Sequence, residues 1–161
     1  MRKLVLISML LLMGCNRQMT DSGYHYCYDG VHEYDLKVLL GKNKGARDNG
    51  VSKIANAYLY VFPNSKFSIE YKLNGFNQGT PNVEYELKGD LMTGSNVEEQ
   101  VVTDPITKRD WVRKRILNIT VNNKTGQLII MLTENHLDMN GNITSTESYN
   151  FKAQCDRVSS K

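Results

Sequence analysis

Lys66-Phe67-Ser68-Ile69-Glu70-Tyr71-Lys72-Leu73 alternates polar and apolar side chains at every step. A period of two marks a strand with one buried face, here Phe67, Ile69, Tyr71 and Leu73, and one wet face. Val83, Tyr85, Leu87 and Leu91 repeat the pattern against Glu84, Glu86, Lys88 and Asp90. The turn-rich NGFNQGTPN between them makes residues 66–91 a hairpin with a long loop. Further on, Arg115 to Val121 and Gln127 to Glu134 flank NNKTG, and DMNGN leads into Ile143 to Ala153. Asn140-Gly141 suits a turn that needs positive φ, so these three segments read as an antiparallel meander.

Upstream, Tyr24 to Asp29 and Tyr34 to Leu40 read as an opening hairpin, and Ala57 to Phe62 as another strand. Gly41 to Asn56 is polar and reads as a loop, and Thr93 to Arg109 as a second long loop. No segment keeps a helical period beyond two turns. The expected fold is all-β: about eight short strands in a single antiparallel barrel or barrel-like sandwich, its interior filled by side chains or holding one small ligand. Leu128-Ile129-Ile130-Met131-Leu132 is apolar on both faces, so that strand is expected to need an outer cover, from loop 93–109 or a partner protein.

With 161 residues, 40% hydrophobic and 23% charged, the chain suffices for one soluble domain with one core. Its formal charge is +3; removing Arg2 and Lys3 with a leader leaves 18 basic against 17 acidic residues, a net +1. That balance favours no particular partner.

Residues 1–15 read MRKLVLISMLLLMGC: two cations, an apolar run from Leu4 to Met13, a small residue and a cysteine. This is the pattern of a secretory signal. The run of about ten residues spans roughly 15 Å as a helix, half of what a lone bilayer-crossing helix needs. Leu12-Met13-Gly14-Cys15 resembles the lipobox of bacterial lipoproteins. The resemblance implies removal of residues 1–14, acylation of Cys15, and a polar tether over residues 15–23. Each buried methylene contributes about 0.8 kcal/mol, so two or three acyl chains hold where one is marginal. Asn16, where an Asp favours retention at the inner membrane in that family, implies an outer-membrane address facing the periplasm.

Two thiols remain, Cys27 and Cys155. An exported chain with two spare cysteines is expected to hold one disulfide, and no C-x-x-C spacing points to a redox pair. Closing a loop of about 129 residues restricts the unfolded chain by up to ~5 kcal/mol. The bond would fix the first strand beside the last.

Catalytic and metal motifs are weak. Asp138, Asn140 and Asn142 mimic the first calcium positions of an EF-hand loop, but Ile143 stands where the turn needs Gly and Tyr149 where a bidentate Glu is required. A hairpin turn explains them. His25, His32 and His136 show no zinc spacing, so no metal or other cofactor is expected. There is no G-x-S-x-G. An enzyme would need His136 and Asp138 to converge with Ser145 or Glu147 in a pocket, and the expectation is that the protein is not an enzyme. The densest feature is Lys108-Arg109-Asp110-Trp111-Val112-Arg113-Lys114-Arg115, five cations around the only Trp. It reads as a patch for lipid phosphates or an acidic protein, or as a solvated strand edge. An exported location disfavours nucleic acid as its partner.

The opening Tyr26-Cys27-Tyr28-Asp29-Gly30, together with Cys155, resembles the periplasmic C-type lysozyme inhibitors, small disulfide-closed barrels. The family's Ser-Gly-x-x-Tyr inhibitory loop has no counterpart, so the resemblance implies a stapled barrel more than an inhibitor. Residues 24–157 are thus expected to form one lipocalin-like or lysozyme-inhibitor-like domain, with 158–161 a tail. Its expected role is a membrane-anchored, non-enzymatic envelope protein that binds a protein partner or a small apolar ligand. The alternative is an inhibitor or exclusion protein acting on an incoming lysozyme, phage or conjugation component.

Overall fold

The computed structural model describes residues 23–73 and 76–156; the leader, Cys15, most of the tether and the C-terminal tail lie outside them. Ten antiparallel strands follow in chain order: β1 (Gly23–Val38), β2 (Arg47–Ile54), β3 (Ala57–Phe62), β4 (Lys66–Leu73), β5 (Phe76–Gly79), β6 (Val83–Lys88), β7 (Leu91–Thr103), β8 (Asp110–Asn122), β9 (Gln127–Leu137) and β10 (Ile143–Cys155). The sheet runs β10-β9-β8-β7-β6-β4-β3-β1, and a β1–β10 pairing closes it into a barrel-like ring. Eight strands make the ring; β2 continues the wall beside the second half of β1, and β5 pairs with β4 alone.

The meander is as the alternation requires: β8, β9 and β10 pair in register from Val121↔Leu128 and Gln127↔Gln154 up to Val112↔Leu137. Four segments differ from the sequence reading, one of them the long loop after β4, within which Phe76–Gly79 pairs with β4 as β5. The opening hairpin is one continuous strand, because Asp29 takes a positive φ of 52° and the register with β10 shifts between Tyr28 and Val31. A bulge absorbs the irregularity that reads as a turn. The polar stretch after Gly41 contains β2, which pairs only with β1 and leaves most of its side chains in water. Residues 93–109 are largely β7, paired with β8 over thirteen positions. They therefore do not cover the outside of β9, where Met131 is 50% exposed.

Cys27 and Cys155 are direct cross-strand partners and form the expected disulfide. Around it the interior is filled. Phe67, Phe151, Leu59, Ile69, Met92, Ile119 and Leu128 are fully buried, each stabilising the fold by roughly 1.5–3 kcal/mol relative to exposure. Phe67 stacks on Tyr85 at 5.3 Å and Tyr71 on Phe151 at 4.8 Å. Gly94 lets β6 and β7 close at this level, since a Cβ there would sit 2.6 Å from the Glu84 carbonyl oxygen.

Candidate functional site: the open half of the ring

The packed core stops halfway. Above it, a cavity of about 420 Å³ opens to solvent. Its floor is Tyr71, Phe151, Leu117, Ile130 and Leu132, and its rim carries Asn96, Glu98, Arg115, Glu134 and Tyr149. The opening has a cause in the chain. β6 pairs with β7 only from Tyr85↔Gly94 to Lys88↔Leu91, and β4 pairs with β6 at just Lys66↔Glu84 and Phe67↔Val83. Beyond those pairs the chain turns away through Gly79-Thr80-Pro81, and Pro81 has no N–H to offer β7. Among the described residues no strand pairs with β7 from Ser95 to Thr103 on that side, and Gln78 to Pro81 face Asn96 and Glu98 across the cavity.

On the rim, the Arg115 guanidinium donates through Nε to Glu134 Oε2 at 2.6 Å. Burial alone would raise the Glu134 carboxyl's pKa; bonds from Arg115 and His136 outweigh it and hold the group below its ordinary value. His136 Nε2 stands 3.1 Å from Glu134 and 3.7 Å from Glu147, and its ring packs on Trp111 with centroids 4.4 Å apart. Tyr149 donates to Glu147, and burial together with that carboxylate raises the phenol's pKa. Burial lowers the pKa of His32. Glu98 faces Arg115 across the β7–β8 ladder, and its carboxylate accepts from Asn96 Nδ2 at 3.0 Å.

Strand alternation divides the basic stretch. Trp111, Arg113 and Arg115 share the inward face of β8 with Leu117, Lys114 points outward 3.7 Å from Glu99, and Lys108 and Arg109 lie at the β7–β8 turn. Lys108, Arg109, Trp111, Arg113, Lys114 and Arg115 therefore do not make one patch, because consecutive strand residues face opposite sides. Asp138 accepts from the backbones of Asn140 and Asn142 and from the Asn142 amide, which is the hairpin turn rather than a metal loop. His25 and His32 are buried. His136 does approach Glu147, but Asp138 is engaged by its own turn and no hydroxyl bonds the imidazole among the described residues. Among those residues no group of three or more His, Cys, Asp or Glu has metal-binding geometry.

The sequence reading missed the cavity residues of β7. Their signal was an inverted alternation: Asn96 and Glu98 line the cavity while Val97 and Val101 are each 59% exposed outside. The fold and site together define an all-β protein with a half-filled, half-open interior. Comparison with protein-family models, with curated proteins and with solved structures finds no match.

Proposed function

We propose that the chain is a lipid-anchored envelope protein, non-enzymatic, that holds one small ligand with an apolar body in the open half of its ring. The cavity carries this reading: about 420 Å³, floored by aromatic and aliphatic side chains and rimmed by a few hydrogen-bonding groups. Ligand sites commonly combine an apolar lining with a small number of orienting polar groups. The resemblance of Leu12 to Cys15 to a lipobox supports the anchor and an outer-membrane address facing the periplasm.

Native mass spectrometry of the purified full-length protein tests the ligand. A copurifying apolar molecule, or saturable binding of an environment-sensitive apolar dye, is the expected result. Leu132→Trp or Asn96→Trp should fill the cavity and abolish binding while the protein stays folded. A bare mass together with no dye response would remove the ligand reading.

A second reading, an inhibitor or exclusion protein, is favoured by an aliphatic row on the outer face. Val101↔Val112, Val112↔Leu137 and Leu137↔Ile143 are direct cross-strand partners, with Val101 59% and Ile143 40% exposed. Unchanged muramidase activity in the presence of excess protein would end its lysozyme branch.

A further inference from the structure

Five of the nine tyrosines stand together on the outside of two neighbouring strands. Tyr24 pairs with Tyr60 and Tyr26 with Tyr58 across β1 and β3, and Tyr28 follows on β1. The intervening His25, Cys27, Ala57 and Leu59 are buried, so alternation puts all five rings outside. They touch one another: ring centroids are 4.5 Å apart for Tyr24–Tyr60, 5.8 Å for Tyr26–Tyr58 and 6.4 Å for Tyr26–Tyr28. Tyr60 donates to Glu70 at 3.0 Å and Tyr26 to Asn56, which fixes two of the rings. Tyr24 is nevertheless 60% and Tyr58 41% exposed. Three tyrosines at alternate positions of β1 extend roughly 14 Å, a broad patch rather than a scatter of single rings.

We infer that this tyrosine face seats the domain on the headgroup layer of a lipid membrane. Tyrosine has an apolar ring and a polar tip, the combination enriched at membrane–water interfaces. The chain itself brings the face there. Tyr24 is the second described residue, and the eight steps from Cys15 to Gly23 reach at most about 28 Å. A domain acylated at Cys15 is thus held with this end, not the cavity's rim, nearest the bilayer, so the inference rests on the anchoring reading. The charges around the rings are mixed: Glu70 takes the Tyr60 hydroxyl and Lys66 is paired with Glu84 at 3.4 Å. Attraction to anionic lipid is therefore not the driving term, and the seating should withstand added salt.

The test is nitration of the full-length acylated protein in phosphatidylcholine vesicles, with each tyrosine followed by mass spectrometry. Uncovered, Tyr24 and Tyr58 should react fastest, as the most exposed tyrosines among the described residues. Seated on lipid, they should fall below the half-buried Tyr34 and Tyr85, a slowing of about tenfold, equivalent to about 1.4 kcal/mol of covering. The order should persist at high salt and at high lipid-to-protein ratio. Tyr24→Ser with Tyr58→Ser should speed nitration of Tyr26 and Tyr60. Tyr24 and Tyr58 remaining fastest on vesicles would overturn the inference. So would protection that vanishes as the protein is diluted in lipid, because a second copy would then be the cover. The same spectra report the mass at Cys15. Acylation without protection sinks the tyrosine face alone, whereas protection of an unacylated chain added to vesicles sinks the anchor alone.

Discussion

Arg115 has two acidic neighbours on the inner wall and pairs with one of them. Glu134 is 8% exposed and shares its carboxylate between Arg115 and His136, while Glu98 stays at the wetter edge of the cavity. Removing the guanidinium should strand the more buried carboxylate, so Arg115→Ala is expected to cost about 2 kcal/mol at neutral pH, discounted because Arg115 itself is half in water. The sign with pH follows from the lowered Glu134 pKa. Its contribution is fully present above the unfolded carboxylate value and is lost as pH falls through the lower folded value. Urea titrations of both proteins should therefore converge on acidification; a gap that widened would refute the assigned pairing. At the other end, Gly126 has φ +80° and its carbonyl accepts from the Cys155 N–H at 2.8 Å. A Cβ there would strike the Cys155 carbonyl oxygen, so Gly126→Ala should lower stability by about 2 kcal/mol or more in the same titration.

At the scale of strands, the disulfide and the meander explain what could be read in advance. Cys27→Ala with Cys155→Ala releases a constraint across 128 residues, and the urea midpoint should fall by the equivalent of up to ~5 kcal/mol. An unchanged midpoint would place the closure in the β1–β10 hydrogen bonds alone. The meander was legible because β9 and β10 keep buried residues such as Leu128, Ile130, Phe151 and Ala153 strictly on one face. β2 was not: it pairs only with β1, and a strand without an apolar side carries no periodic signal. β7 failed for a more informative reason. Below Gly94 it buries Met92, but above it faces an open cavity, so Asn96 and Glu98 point in while Val97 and Val101 point out. Sequence pattern reports the contrast between core and water, and an open cavity abolishes that contrast along the strand that lines it. The basic stretch misled in the complementary way, since charge density along a chain says nothing about which face each residue takes. The unpaired edge of β7 carries a test of its own. In hydrogen exchange, alternate amides from Ser95 to Thr103 should exchange far faster than those of Ile119 and Val121, which lie in ladders on both sides.

For the whole molecule, the ring is closed by unequal joints. β1 and β10 share ten cross-strand pairs and the disulfide, whereas β4 and β6 share two pairs, supplemented by the Tyr85 N–H to Ser65 carbonyl bond at 2.9 Å. The weak joint borders the cavity, so the same bend at Thr80-Pro81 that admits solvent to the interior also thins the wall there. Local stability follows the number of buried contacts and paired backbone groups, and cooperative units open at separate free energies. Native-state hydrogen exchange with rising urea should show the amides joining β4, β6 and β7 opening through a sub-global event, before those joining β1 to β10. Phe67 is the side chain that resists this opening: it is fully buried, stacks on Tyr85 and lies beside Val83 in the joint. Phe67→Leu keeps the pocket apolar but removes the stack. It should lower the sub-global opening energy by more than it lowers global stability, because the interaction it deletes spans that joint. Equal losses in both measurements, or one common opening energy for every strand, would mean that the ring unfolds as a single unit and that its two-pair joint is no weaker than its stapled one.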